Sequence, residues 1–372
     1  MPSDSCLRRY DRQRNVPLCL ASTIALTALY VICYKGAVRI KGEVTMHIDF
    51  HCHLYPEEYL KKLEASKGDV RIEKNEKGEK IILSMGARAG PVTEDFFDIE
   101  VRLDKIKQNN IDMQILTTPH PGIDRFSPGE SAEMSRVIND GLSKVVKKYP
   151  NHFQGLAMLP LIDIKLALKE LERAIFDLGL KGICMLTNIA GQTPDSDFLL
   201  PVYERAQSLG VPIFIHPTTP VGAQVMKEWR IAIILGFEFD VMLSATRLAY
   251  AGIFERFPEL NFIIAHLGAG IPFLAGRIDR GYHDPTCGIR TKRPASDYLK
   301  ELYCDTVSFY QPALKLAYEF FGADRMVMGS DFPLPIGDLE AAVSSIEEMD
   351  ISGEEKEKIL GKNVERLLGL NK

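Results

Sequence analysis

After Met46 the chain alternates short apolar or β-branched runs with longer segments whose apolar residues recur every three or four positions. Such alternation is typical of a parallel α/β fold, because a crossover helix must precede each new parallel strand. The short runs number eight, at Met46–Phe50, Met113–Thr117, Phe153–Leu159, Gly182–Leu186, Val211–Ile215, Asn261–Ala265, Leu302–Asp305 and Met326–Gly329. Segments with helical periodicity include Ser131–Lys148, Ile164–Leu178 and Phe198–Leu209. Eight βα units favour a closed (β/α)8 TIM barrel over an open doubly wound sheet.

Two connections are longer than usual. Leu54–Phe97, after the first run, is rich in Lys, Glu and Gly and predicts an inserted hairpin or lid. Pro217–Leu260, after the fifth run, contains the only tryptophan and predicts a pair of helices. Both follow the carboxyl end of a strand, where barrel active sites lie. No repeat or linker divides residues 46–372, which we interpret as one barrel domain.

The first 45 residues are not needed to complete this barrel. Val16–Tyr34 carries no charge and is long enough to cross a bilayer as a helix, with arginines before it that would hold its N-terminus in the cytoplasm. A secretory signal peptide is a second interpretation, and a true translation start at Met46 is a third. A single-pass membrane anchor is expected only if residues 16–34 belong to the protein, and otherwise we expect a cytoplasmic protein.

Charge and cysteine content narrow the class of partner. With 45 Lys and Arg against 50 Asp and Glu, the net charge of -5 gives no basic face for nucleic acid and favours a small-molecule substrate. The cysteines after Met46 lack CxxC spacing, and they are Cys52, Cys184, Cys287 and Cys304. Their low density favours reduced thiols and a cytosolic compartment.

Histidines and an aspartate follow several of the predicted strands. His51 and His53 come directly after the first run, at the end of the first strand, and strand alternation points both imidazoles to the same side. His216, His266 and Asp331 follow the fifth, sixth and eighth runs. Any one of them could be a packed core residue, but parallel strands in a barrel bring their carboxyl ends together. The joint placement predicts a divalent metal site, with His47 and Asp49 in the barrel interior beneath it.

Several longer stretches resemble one family, the amidohydrolase superfamily, and within it the enzymes typified by aminocarboxymuconate semialdehyde decarboxylase. The resemblance covers about Met46 to Leu370, with matching stretches at His47–His53, Gly210–Pro220, Ala265–Arg280, Tyr303–Ser308, Arg325–Pro333 and Asn363–Leu370. It implies a single metal ion, usually zinc, held by His51, His53, His216 and Asp331. Manganese, cobalt or iron would suit the same ligands.

The resemblance also assigns roles beside the metal. It makes His266 the acid/base, consistent with an imidazole that titrates where it can move a proton from metal-bound water. Asp331 is an alternative base, as in hydrolytic relatives. Arg277 is a candidate reader of a substrate carboxylate, in some relatives across a homodimer interface, although a surface role fits equally well. Phe332 and Trp229 are candidate pocket walls, with packing roles favoured for both.

One departure bears on the substrate. The sequence places Thr93 where the named decarboxylase has an arginine, which argues against the same dicarboxylic substrate. The leading hypothesis is therefore a non-oxidative, metal-dependent decarboxylase of another unsaturated or aromatic carboxylic acid. The alternative is a hydrolase of an amide, ester or lactone bond at the same site. A membrane-tethered binding protein without activity is disfavoured, because the ligand set is complete.

Overall fold

The computed structural model describes residues 45–84, 87–118, 120–226 and 228–370, without the side chains of Ala87 and Arg88. The predictions made for residues 1–44 lie outside this part of the chain. Within it, the strands are β1 Ile48–His53, β2 Val70–Lys74, β3 Lys80–Ser84, β4 Ala87–Pro91, β5 Met113–Thr117, β6 Phe153–Gly155, β7 Ala157–Met158, β8 Ile183–Leu186, β9 Ile213–His216, β10 Phe262–Ile264, β11 Tyr303–Asp305 and β12 Met326–Val327.

The α-helices alternate with these strands. They are α1 Glu57–Ala65, α2 Ile99–Gln108, α3 Pro128–Lys148, α4 Ile164–Phe176, α5 Leu200–Leu209, α6 Phe237–Tyr250, α7 Ile253–Arg256, α8 Ile271–His283, α9 Ala295–Leu299, α10 Gln311–Phe321, α11 Leu339–Glu347, α12 Gly353–Glu357 and α13 Asn363–Leu368. None of the helices in the described part of the chain has the length and apolar character needed to cross a membrane.

The strands close into the predicted barrel. β1 pairs in parallel with β5 and β5 with β6, while β7 to β12 form a second run of parallel pairs in chain order. β6 and β7 are consecutive pieces of the third barrel strand. The ring closes where the amide of Phe50 donates to the carbonyl of Met328 and that of His53 to Phe332, at 2.8 Å each. The (β/α)8 fold is thus confirmed.

Local sequence signals explain where the elements begin and end. α3 starts at a capping box in which Ser127 and Glu130 satisfy each other's backbone amides, with Pro128 in the first turn. α5 ends at Gly210, whose φ of 65° is the left-handed conformation that glycine adopts without strain. Every residue of β1 is buried, since alternate side chains face the helices and the barrel interior.

The two long connections contain what the sequence predicted. The first holds α1 and a three-stranded antiparallel sheet of β2, β3 and β4. The second holds α6 and the short α7, preceded by irregular turns. Both lie on the carboxyl side of the barrel strands, beside the predicted site.

Candidate metal centre

The four predicted ligands converge at the carboxyl end of the barrel. His51 and His53 come from β1, His216 ends β9 and Asp331 follows β12. One ligand atom from each lies within 4.8 Å of the others, and all four residues are buried. The three imidazoles form a nearly regular triangle with ring centroids 4.9 to 5.0 Å apart. The geometry thus gathers three nitrogens and a carboxylate around one point.

Hydrogen bonds fix the ring orientation of two of these histidines. Nδ1 of His51 lies 2.6 Å from the carboxylate of Asp305, and Nδ1 of His216 lies 2.7 Å from the carbonyl of Pro217. A carboxylate and a carbonyl only accept, so each Nδ1 carries the proton. The Nε2 lone pair of each ring is therefore free to bind a metal ion. A hydrogen-bond acceptor at Nδ1 also raises the basicity of Nε2.

His53 is oriented in the same way through a hydroxyl. The hydroxyl of Thr117 donates to the carbonyl of Cys52 at 2.8 Å, so its oxygen accepts from Nδ1 of His53 at 3.0 Å. Nε2 of His53 lies 2.8 Å from Oδ1 of Asp331. The same carboxylate oxygen is 3.4 Å from Nε2 of His51. Asp331 therefore faces both β1 histidines from the segment after β12, the strand next to β1 where the barrel closes.

Burial keeps His53 and His216 neutral. Desolvation lowers the pKa of His53 to about 4, against a weaker opposing effect of Asp331. Desolvation likewise holds the pKa of His216 well below its ordinary value, with the neighbouring histidines adding to the effect. A neutral imidazole is the form that binds a metal ion. Burial also opposes ionisation of Asp331, but the surrounding histidines outweigh it and lower the pKa of this carboxyl.

These residues fit a divalent cation by two observations of the structure itself. Nε2 of His51 and Nε2 of His216 are buried polar atoms without a hydrogen-bond partner among the described residues. Buried polar groups are rarely left unsatisfied, because each costs about 1–3 kcal/mol. Three neutral imidazoles with one carboxylate are also a donor set of known metal sites.

His266 lies beside the cluster without belonging to it. Its ring stacks on that of His51, with centroids 5.3 Å apart and planes 3° from parallel. Nδ1 of His266 lies 2.7 Å from the carboxylate of Glu238 on α6, and Nε2 has no partner among the described residues. Burial alone would lower the pKa of His266, yet Glu238, with Asp305 and Asp331, raises it to about 10. The carboxylates around His266 therefore favour its protonated form.

A buried polar network supports the centre from below. Asp49 accepts hydrogen bonds from Ser330 at 2.6 Å and from Gln114 at 2.7 Å, and burial raises the pKa of its carboxyl to about 6. Arg102, fully buried, donates to Gln114 at 2.8 Å and also to the carbonyl of His53. Its guanidinium lies 4.8 Å from the ring centroid of Phe332. Phe332 therefore packs on this network, and its contact with substrate stays a prediction.

The other two predicted substrate-binding residues, Arg277 and Trp229, are exposed to solvent and are not packed against the proposed metal ligands. Arg277 lies on the exposed side of α8, and Trp229 is 82% exposed in the turns before α6. The reason is that each stands on an element beyond the strand ends, where nothing in the sequence fixes side-chain direction. Thr93 is exposed as well. Their contact with substrate stays a prediction.

Sequence reasoning missed three polar residues of the site. Asp305 was part of a matching stretch without a role, and Glu238 lies on a helix whose bounds the sequence left open. Arg102 belongs to α2 and has no exposed surface, although arginine on a helix is ordinarily solvated. Of the three, only Asp305 carried a signal, since it ends a predicted strand on the same side of the barrel as the ligands.

Comparison with known proteins identifies the family. The family model described as "Amidohydrolase" matches residues 48–370, which includes every residue of the metal centre. The chain belongs to the amidohydrolase family. The resemblance inferred from the sequence is thereby confirmed.

Curated members of this family include decarboxylases. The chain is 28% identical over 334 residues to 2-amino-3-carboxymuconate-6-semialdehyde decarboxylase of Dictyostelium discoideum, covering 88% of this chain and 92% of that one. It is 30% identical over 297 residues to gamma-resorcylate decarboxylase of Polaromonas sp., covering 75% of this chain and 89% of that one.

A solved structure from the family agrees with the fold. It is dihydroxybenzoic acid decarboxylase of Polaromonas sp. with bound manganese and the inhibitor 2-nitroresorcinol, at 27% identity and a TM-score of 0.73. The match covers 88% of this chain and 98% of that one. A metal ion is therefore present in a family member of the same architecture.

Proposed function

We propose that this amidohydrolase family member is a metal-dependent, non-oxidative decarboxylase of an unsaturated or aromatic carboxylic acid. The observation that carries the proposal is His266, a buried imidazole beside the four ligands whose Nε2 is free and whose pKa is raised to about 10. Replacing a carboxyl group by hydrogen requires an acid at the carbon, and a protonated imidazole supplies one. The names of the curated relatives support the same reaction class.

The metal ion belongs to this proposal through the ligand set. Held by His51, His53, His216 and Asp331, a divalent cation would polarise the substrate's carboxylate and an adjacent oxygen as a Lewis acid. Zinc is our first assignment because three imidazoles and one carboxylate suit it. Manganese is the main alternative, since the related Polaromonas enzyme binds it.

The chain's own residues handle the proton. Glu238 orients the His266 ring through Nδ1 and compensates its positive charge, which leaves the Nε2 proton available to the substrate. As the C–C bond breaks, its electron pair stays on the substrate carbon, carbon dioxide leaves, and the carbon takes the Nε2 proton. No oxidant or reductant is needed. His266 is only 8% exposed, so competing water has little access to its ring.

The proposal also concerns the class of substrate and the oligomeric state. The substrate is a small carboxylic acid, and Arg277 remains a candidate reader of its carboxylate. A homodimer would be needed if this arginine acts on the neighbouring subunit. Because Arg277 is exposed on α8, either arrangement is open to it.

The test combines metal quantification with a screen of aromatic and unsaturated acids under anaerobic conditions in D2O. We expect carbon dioxide release, with deuterium on the carbon that carried the carboxyl group. His51→Ala should lose the metal ion, whereas His266→Ala should retain it and lose turnover. His283→Ala, on the exposed end of α8, is the matched control. Cleavage of amides, esters or lactones without carbon dioxide release would overturn the proposal.

A further inference from the structure

A fifth histidine lies beside the metal centre and has no assigned role. β5 pairs with β1 so that Thr117 lies opposite His53, and His120 follows three residues beyond Thr117. The ring of His120 interacts electrostatically with His53 and Asp331. His120 therefore stands at the rim of the site, on the side formed by the first two barrel strands.

Both ring nitrogens of His120 are buried and make no well-formed hydrogen bond with the described residues. The backbone of Ala89 makes only a weak one, whose effect on the pKa of His120 is smaller than the effects of burial and of His53. The residue as a whole is only 8% exposed. Among the histidines that the structure describes, the other unpartnered buried nitrogens belong to His51, His216 and His266. In the proposed function, these three nitrogens bind the metal ion or the substrate. Because the nitrogens of His120 are buried beside them in the same way, we expect them to bind a ligand of the same site.

The position of His120 is fixed by its neighbours. The hydroxyl of Tyr55 donates to the carbonyl of His120 at 3.0 Å, and the ring of Phe237 lies 5.6 Å away in an edge contact. Phe237 begins α6, and the next residue is Glu238, which holds His266. Consecutive residues of α6 thus contact His120 and His266, which places both imidazoles near the start of this helix.

The charge around His120 selects the kind of ligand. Burial lowers its pKa to about 4, with His53 adding to the effect, so the ring is neutral at physiological pH. The fully buried Arg102 is already bonded to Gln114 and to the carbonyls of His53 and Asp95. A neutral ring suits an uncharged oxygen better than a second carboxylate, in agreement with Thr93 at the position of the family arginine.

We propose that His120 determines substrate specificity by hydrogen-bonding an uncharged oxygen, a hydroxyl or carbonyl substituent, on the side of the substrate away from His266. This inference rests on the proposed function for the identity of the ligand as an aromatic or unsaturated acid. His120 contacts the substrate and takes no part in proton delivery to the carbon.

The experiment measures binding of benzoate and of 2-, 3- and 4-hydroxybenzoate to the metal-loaded protein by calorimetry. We expect at least one hydroxylated isomer to bind about tenfold more tightly than benzoate, the gain of one well-made hydrogen bond. In His120→Phe the hydroxylated isomer should bind no more tightly than benzoate, and the affinity for benzoate itself should be unchanged. His120→Asn and His120→Gln, which each restore one polar atom, should recover part of the gain.

Controls separate this inference from folding and from the proposed reaction. His283→Phe should leave the hydroxyl preference intact, and equal metal content and unfolding midpoint show that His120→Phe is folded. If no isomer binds better than benzoate, or every gain survives in His120→Phe, the inference is overturned. Because no turnover is needed, a lost hydroxyl preference without carbon dioxide release from any acid would refute the proposed reaction and leave the role of His120 standing.

Discussion

Removing the charge of Glu238 tests whether His266 acts as the proton donor. Glu238→Gln keeps a side-chain oxygen that can accept from Nδ1 of His266 and eliminates only the negative charge. The 2.7 Å bond between the two groups is a charge-assisted hydrogen bond within a largely buried pair, since the glutamate side chain is 28% exposed. Such bonds contribute about 1.5–3 kcal/mol. At about 1.4 kcal/mol per pKa unit, the pKa of His266 should fall by about 1 to 2 units.

The sign of the pH effect follows from the role of His266. An acid works in its protonated form, so turnover falls as pH rises through the pKa of His266. The intact pair raises that pKa to about 10. Lowering it in Glu238→Gln should move the alkaline limb of the kcat profile to lower pH by about 1 to 2 units, with a smaller change on the acid side.

The assay is carbon dioxide release as a function of pH, together with metal content at each pH. Titration of His266 by NMR in the metal-free protein provides a readout that does not depend on turnover. Glu259→Gln, at an exposed position, controls for the loss of one negative charge. An unchanged alkaline limb in Glu238→Gln with full metal content would refute the reasoning. So would an activity loss that only follows loss of metal.

Three further tests, two of them with a comparison variant, probe the metal centre and its support. His51→Ala should abolish metal binding measured by elemental analysis, whereas His266→Ala should retain an equimolar ion. Asp305→Asn should weaken metal affinity about 10- to 100-fold in a competition titration, because the partner that fixes Nδ1 of His51 loses its charge; wild-type affinity would contradict the assigned role. Arg102→Met should lower the free energy of unfolding by about 1–3 kcal/mol in a denaturant titration, because it leaves the buried acceptors of Gln114 and His53 unpaired. Lys105→Met, which removes a partly exposed ion pair, should cost less than about 1 kcal/mol.

The barrel was predictable because its strands are short apolar runs separated by strongly periodic helices. Met113–Thr117 was predicted to the residue, whereas the first strand runs from Ile48 to His53 and so includes both histidines. The sequence predicts that the first strand ends at Phe50, because polar side chains follow this residue, although the strand continues to His53. Since the site lies at the strand ends, the residues that blur strand boundaries in the sequence are the functional ones.

The site was predictable only as far as strand ends reach. The barrel itself brings four residues together, because each belongs to a strand or follows one within four residues: His51, His53, His216 and Asp331. Glu238 approaches His266 from a helix 28 residues earlier in the chain, a distance set by the packing of α6 and not by any periodicity. The proposed ligands can therefore be predicted from the sequence, whereas a group such as Glu238, which shifts the pKa of its partner, is found only from tertiary packing.

Asp305 connects a proposed metal ligand, His51, with the proposed proton donor, His266. One carboxylate oxygen lies 2.6 Å from Nδ1 of His51, and the other accepts from the backbone amides of His266 and Val307. His266 has a φ of 56°, a left-handed conformation that costs about 1–3 kcal/mol outside glycine and persists only where surrounding contacts enforce it. The bond from its amide to Asp305 is such a contact. A single buried side chain thus sets the tautomer of His51 and holds the backbone of His266. If these residues have their proposed roles, a change at Asp305 should impair metal retention and proton delivery together.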